Sequence, residues 1–197
     1  MSYDVTINPK TGRIVITGRL LWNSLFQPRK AKGGKDGKYE ANVAIPKAAA
    51  IKVLQDAALD AGKDKFPKLF KDAGGKWPSG VKSPFKKTGE NDKLAELAGD
   101  YPMFVAARSK DRPGVVGANG RAEGVEPEHV YAGRWVKISV DAYAYDTDGN
   151  KGVTFGLGNV QLLQDDEELV IGGGRVSAES EFEGVGDTGS DAGGMFE

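Results

Sequence analysis

Two stretches of this chain set cations beside flat rings, the combination that a charged strand of stacked bases would need. Residues Arg29 to Lys38 carry Arg29, Lys30, Lys32, Lys35 and Lys38 against the single acid Asp36, with Gly33, Gly34 and Gly37 between them. Residues 77–87 interleave Trp77 and Phe85 with Lys82, Lys86 and Lys87. Lysine and arginine can follow a phosphate backbone while bases stack on rings, at roughly 1–3 kcal/mol per base. Each stretch also has a plainer reading. The first is a solvated hairpin tip, and in the second the rings pin an irregular loop to the core. Trp135, Lys137, Tyr143 and Tyr145 share one parity of a later strand, and they either cover a neighbouring element or form a stacking surface.

Other chemistries fail on spacing. The glycine-rich loop is not a phosphate-cradling Walker loop: Gly33 and Gly37 stand one residue too close, and Tyr39 occupies the hydroxyl position. Asp146–Gly152 resembles a calcium loop only at its start. Positions six and twelve hold Lys151 and Leu157 instead of glycine and glutamate, so a tight hairpin turn explains the segment. His129 is the single histidine, flanked by Glu126 and Glu128, and has no partner set for acid–base catalysis. The run Asp165-Asp166-Glu167-Glu168 reads as a solvated edge before it reads as a metal site. Cysteine is absent, which removes disulfides and thiolate metal sites and fits a reducing compartment. The reading is therefore a non-enzymatic chain with no cofactor and no metal.

Charge is sorted along the chain. Residues 1–90 carry a net charge of +10, residues 91–164 carry −2, and residues 165–197 carry −9. A basic body with an acidic end predicts a polyanion-binding domain over residues 1–170 and an acidic tail over 171–197. Beyond Val170 the tail is mostly Gly, Ser, Asp and Glu, which cannot bury a core, so it is predicted to be disordered. Its acids Asp187 and Asp191 and its closing Met195-Phe196-Glu197 are candidates for docking on partner proteins, or for competing with nucleic acid. No signal peptide or membrane-spanning run is visible, which points to the cytoplasm.

The elements that must position these residues are mostly strands. Arg13–Gln27 alternates with Ile14, Ile16, Leu20, Trp22 and Phe26 on one parity, so Trp22 and Phe26 are expected in the core and Gly18 at a bend. Tyr39–Ile45 follows, with Tyr39 expected inside. Pro46 opens a helix from Lys47 to about Ala61, with Ile51, Leu54, Ala58 and Leu59 as its stripe and Gly62 beyond its end. A short helical piece near Lys65–Lys71 precedes an irregular stretch over 72–92. Strands follow at Met103–Ser109, Gly133–Tyr145 and Val153–Leu163, the last two joined as a hairpin. Five strands, one main helix and long loops make a mainly β chain with an OB-fold-like barrel, the competitor being a two-sheet sandwich.

The segment Tyr131-Ala132-Gly133-Arg134-Trp135-Val136-Lys137-Ile138-Ser139-Val140 resembles a phage single-stranded DNA-binding family with an OB-fold. So does Asp146–Gln161, notably Gly149-Asn150-Lys151-Gly152 and Gly158-Asn159-Val160-Gln161. Over the rest of Arg13–Val170 the likeness is one of layout. The resemblance implies sequence-independent coating and protection of single-stranded DNA in phage replication, recombination or repair, without catalysis. The tail is similar to those of single-strand binders that end in acids and a terminal Phe, but here Glu197 follows Phe196 and glycines dilute the acids. The implied partners are single-stranded DNA, replication or recombination proteins on the tail, and a second copy of the chain as an open option. Phosphates are expected at Arg29, Lys30, Lys32, Lys35, Lys82, Lys86 and Lys87, with Lys137 also in the basic set. Bases are expected on some of Trp77, Phe85, Trp135 and Tyr143. The alternatives are a phage structural or protein-interaction module and a metal-dependent nuclease.

Overall fold

The computed structural model describes residues 3–30, 37–167, 169 and 171. Lys32 and Lys35 of the basic loop, and Asp187, Asp191, Met195, Phe196 and Glu197 of the tail, lie outside the described residues, as does the expected tail disorder.

Eight strands form one sheet. They are β1 (Thr6–Ile7), β2 (Ile14–Arg29), β3 (Lys38–Ile45), β4 (Phe85–Lys87), β5 (Met103–Ser109), β6 (Val115–Val116), β7 (Trp135–Thr147) and β8 (Asn150–Leu162). The strands β2, β3, β5, β8 and β7 close into a five-stranded barrel. All neighbours are antiparallel except β5 and β8, which close the ring in parallel at Ala107–Phe155 and Arg108–Gly156. This is the mainly β, OB-like barrel expected, with β1, β4 and β6 as short edge pieces. Ile16, Leu20, Val43, Val105, Ile138 and Phe155 fill its interior.

β2 serves two partners because it bends. Its first half pairs with β7 and its second half with β3. Gly18 sits at the crossing, where a Cβ would collide with the Ala44 carbonyl and the Val43 side chain. Just beyond it, Leu20 faces Val43 but Asn23 faces Ala41, so three residues of β2 span two of β3. This bulge breaks the parity rule. Leu25 is buried in the main core in place of Trp22, and Trp22 is turned outward, 36% exposed. The sequence expectation of a core Trp22 is thus corrected. Phe26 is half-buried at the rim of the core with Arg112 over its ring, and Tyr39 is half-buried outside the core cluster.

Between β3 and β4 lie α1 (Lys52–Lys65) and α2 (Pro67–Asp72). The expected stripe is buried at Leu54 and Ala58, and α1 packs on β7 and β8. Gly62 does not end α1 but lies inside it. The Phe70 ring of α2 rests on it, leaving no room for a Cβ. The β7–β8 hairpin turns at Asp148 (φ 50°) and Gly149 (φ 79°), as its Asp-Gly chemistry demands.

Candidate nucleic-acid interface

The outer face of the β3–β5 ribbon is set by strand alternation. Val105 and Ala107 point into the core, so Phe104, Ala106 and Arg108 point out. They face Ala44, Asn42 and Glu40 of β3, while Lys86 of β4 lies opposite Phe104. Beside them the β7–β8 hairpin raises Tyr143, 42% exposed, and half-buried Tyr145. Both rings lean across β8 over glycines: Tyr145 over Gly152 and Tyr143 against Gly156.

These groups line one open groove of about 440 Å³, which holds Lys38, Lys82, Lys86, Arg108, Tyr143 and Tyr145. A second depression of about 470 Å³ adjoins it across Glu40 and contains Trp22, Arg29, Asn42 and Lys93. Trp22 meets Phe104 edge-on at 6.2 Å, and the Lys86 ammonium sits 5.4 Å above the same Phe104 ring. Rings and cations therefore cross the face from exposed Trp22, over the buried Phe104 ring, to exposed Tyr143.

Charge on the ridge between the two depressions is tightly held. Arg108 donates from Nε to Glu40 Oε2 at 2.9 Å and from Nη2 to Oε1 at 3.3 Å. Asn42 Nδ2 donates to the same Oε1 at 2.6 Å and to the Trp22 carbonyl at 3.1 Å. Burial by itself would raise the Glu40 carboxyl. The hydrogen bonds from Arg108 and Asn42, with the Arg108 charge, outweigh burial and hold it below the ordinary carboxylate range. Burial, with the Arg108 guanidinium nearby, pulls the Lys86 amine below the usual lysine value. A carboxyl depressed in the folded state stabilises the fold above its unfolded pKa and loses that contribution as pH falls through the folded one. Unfolding followed by denaturant from pH 7 downward is expected to show stability falling in the carboxylate range below about pH 5, with a shallower fall in E40Q.

The sequence candidates separate on this framework. Lys82 and Lys86 line the groove, clipped there because Lys82 N–H bonds to the Lys151 carbonyl and the Lys82 carbonyl accepts from Val153 N–H. Tyr143 is in the groove, Arg29 is in the adjoining depression, and Lys30 is exposed beside it in sequence. Lys87 lies on the far side of β4, bridged to Glu90 at 2.8 Å. Lys137 faces a different cleft, of about 620 Å³, with Arg13, Val15 and Gln161.

Three of the four proposed stacking rings are turned inward. Phe85 follows the inward parity of Val105 and meets Phe155 edge-on at 5.9 Å. Trp77 packs edge-on to Phe70 at 5.4 Å and donates its indole N–H to the Val81 carbonyl at 2.6 Å, pinning its loop. Trp135 is 6% exposed: Tyr3 stacks on it at 4.9 Å, and its N–H is bound to Asp166 Oδ2 at 2.7 Å. The assignment of Trp135 as a base platform is corrected, since no face of that ring is free.

Sequence reasoning missed Arg108, which shares its parity with apolar Phe104 and Ala106, whereas Tyr145 shares the parity of Tyr143. No sequence signal revealed Trp22. In the acidic run Asp165 pairs with Arg134 and Asp166 with Arg19. Among the described residues no three His, Asp or Glu side chains converge as metal ligands.

Protein p50 of Acyrthosiphon pisum secondary endosymbiont phage 1 is 28% identical over 170 residues, covering 84% of this chain and 89% of p50. The fold is similar to that of the single-stranded DNA-binding protein from bacteriophage Enc34 solved in complex with ssDNA. The TM-score is 0.62 at 19% identity, over 85% of this chain and 94% of that one. It is also similar to gp2.5, a single-stranded DNA-binding protein encoded by bacteriophage T7, with TM-score 0.54 at 14% identity over 78% and 93% of the two chains. The family profile for the Enterobacter phage Enc34 ssDNA-binding protein matches residues 12–193, and the chain belongs to that family.

Proposed function

We propose that this chain binds single-stranded DNA without sequence preference, coating and protecting it during phage replication, recombination or repair. The observation that carries this reading is the continuous outer face on which Trp22, Tyr143 and Tyr145 are interspersed with Lys38, Lys82, Lys86 and Arg29. Flat rings separated by cations suit a chain of bases joined by phosphates and make no demand on base identity. The basic loop with Lys30, Lys32 and Lys35 would extend the track beyond Arg29. Catalysis has no part in the reading. The binding unit is residues 1–170, working in the host cytoplasm. Among the described residues no helix is long and apolar enough to cross a membrane. The acidic segment 171–197 is a docking element for replication or recombination proteins.

The test is a fluorescence titration with oligo(dT), with duplex and heparin as controls. Quenching by the single strand alone is expected, with a log–log salt slope of about −3.5 for five neutralised phosphates at about −0.7 each. Affinity that is indifferent to salt, or equal quenching by duplex, refutes the reading and leaves a protein-interaction module in its place.

A further inference from the structure

A carboxylate in the middle of a face that binds a polyanion needs a reason. Glu40 sits on the ridge between the two depressions, its side chain only 10% exposed, with both oxygens engaged. Arg108 stays 42% exposed at its side chain and shares its groove with Tyr143 and Tyr145. Two of its donors are committed to Glu40, and its charge is balanced there. A guanidinium so held is a poor phosphate tether, because binding it releases little counterion. It is a good flat surface, because its plane is fixed before the ligand arrives.

We propose that Glu40 is a positioning residue that locks Arg108 as a charge-neutral contact for a nucleobase. Phosphates are then left to the cations on either side, such as Lys82 and Lys86 in one depression and Lys93 in the other. This rests on the reading that the face binds single strands, and it names what lies on the central ridge. Arginine planes stack bases much as aromatic rings do. Arg108 would then continue the row formed by Tyr143 and Tyr145, with Trp22 beyond it. Pure charge arithmetic makes the opposite forecast: removing the Glu40 charge from a groove for DNA should tighten binding.

The experiment measures anisotropy of labelled oligo(dT), and of the same backbone with abasic spacers in place of bases. The proteins are the full chain, E40Q, R108K and K86A, at several salt concentrations. R108K is expected to weaken oligo(dT) by about fivefold with the salt slope unchanged, and E40Q by about fivefold even though its freed guanidinium can add to the slope; neither is expected to lose affinity for the abasic strand. K86A is expected to lower the slope by about 0.7 on both strands. Tighter binding of oligo(dT) by E40Q, or wild-type affinity in R108K, overturns the proposal. So does a loss that persists on the abasic strand. Melting curves report whether E40Q is folded. If it is not, R108K decides alone, because it keeps the charge and changes only the flat fork. Wild-type protein that binds neither strand brings down the reading of the face itself, and this inference with it.

Discussion

Replacing Trp22 by alanine is expected to remove most of the fluorescence quenching by oligo(dT) and to weaken binding by about 1–3 kcal/mol. The chain has three tryptophans, which is what makes the measurement decisive. Trp77 has its N–H bound to the Val81 carbonyl and its ring set edge-on to Phe70. Trp135 lies under Tyr3 and is bonded to Asp166. Only Trp22 is exposed, and it adjoins Phe104, Asn42 and Arg29 on the face where a strand would lie. A ring at such a place stacks on a base and loses its emission to it, while buried indoles keep theirs. W22F separates the two effects: it retains most of the affinity and loses most of the quenching. Trp22 is 36% exposed, so its buried part makes Trp22→Ala cost about 1–2 kcal/mol of stability and W22F less, and binding is therefore compared well below the melting point. Quenching that survives intact in W22F would mean that the strand lies elsewhere.

Trp22 also marks the limit of what the residues themselves disclose. β5 is buried on both parities, and β8 changes parity between Leu157 and Val160, where its pairing with β7 slips; alternation along β3, β7 and the first part of β2 does place those strands and their inner faces. A bulge of one residue between Leu20 and Asn23 defeats that logic for everything after it. It depends on the crossing of β2 over β3 at Gly18, which is a tertiary event. Arg108 was legible neither from parity, because Phe104 and Ala106 on its side are apolar too, nor from composition, since a lone arginine at a strand end announces nothing. Its meaning comes from Glu40, which lies 68 positions away in sequence and beside it across the sheet. Lys137 shows the reverse error: it shares a strand and a parity with Tyr143, yet the barrel curves between them, and they end in separate clefts. The charge asymmetry identified a polyanion binder without saying which face, because the +10 is spread over β2, β4 and the loops while α1 is neutral.

Trp135→Ala is expected to have the largest effect on stability, with DNA contacts left in place. The odd parity of β7 points this ring out of the barrel, but the chain covers it from both ends. Tyr3 stacks on it at an interplanar angle of 22°, Tyr101 tilts toward it, and the Arg19 guanidinium lies 5.7 Å above it. Arg19, itself buried, binds the Gly133 and Glu167 carbonyls and the Asp166 carboxylate. Trp135 and Arg19 thus strap residues 163–167 to the start of β7. Removing a buried indole typically costs about 3–5 kcal/mol, and here it also takes one donor from Asp166, which keeps Arg19 and the Glu167 N–H. At about 2–4 °C per kcal/mol for a chain of this size, melting should fall by roughly 10 °C or more. Trp135→Phe fills most of the volume but gives up the indole N–H, so an intermediate loss of about 1–3 kcal/mol is expected. In both variants the salt slope on oligo(dT), measured well below the melting point, should equal that of wild type, since no phosphate contact is touched. If Trp135→Ala instead lost affinity at an unchanged melting temperature, the ring would be a base platform after all, and the strap across it would have to open when DNA binds.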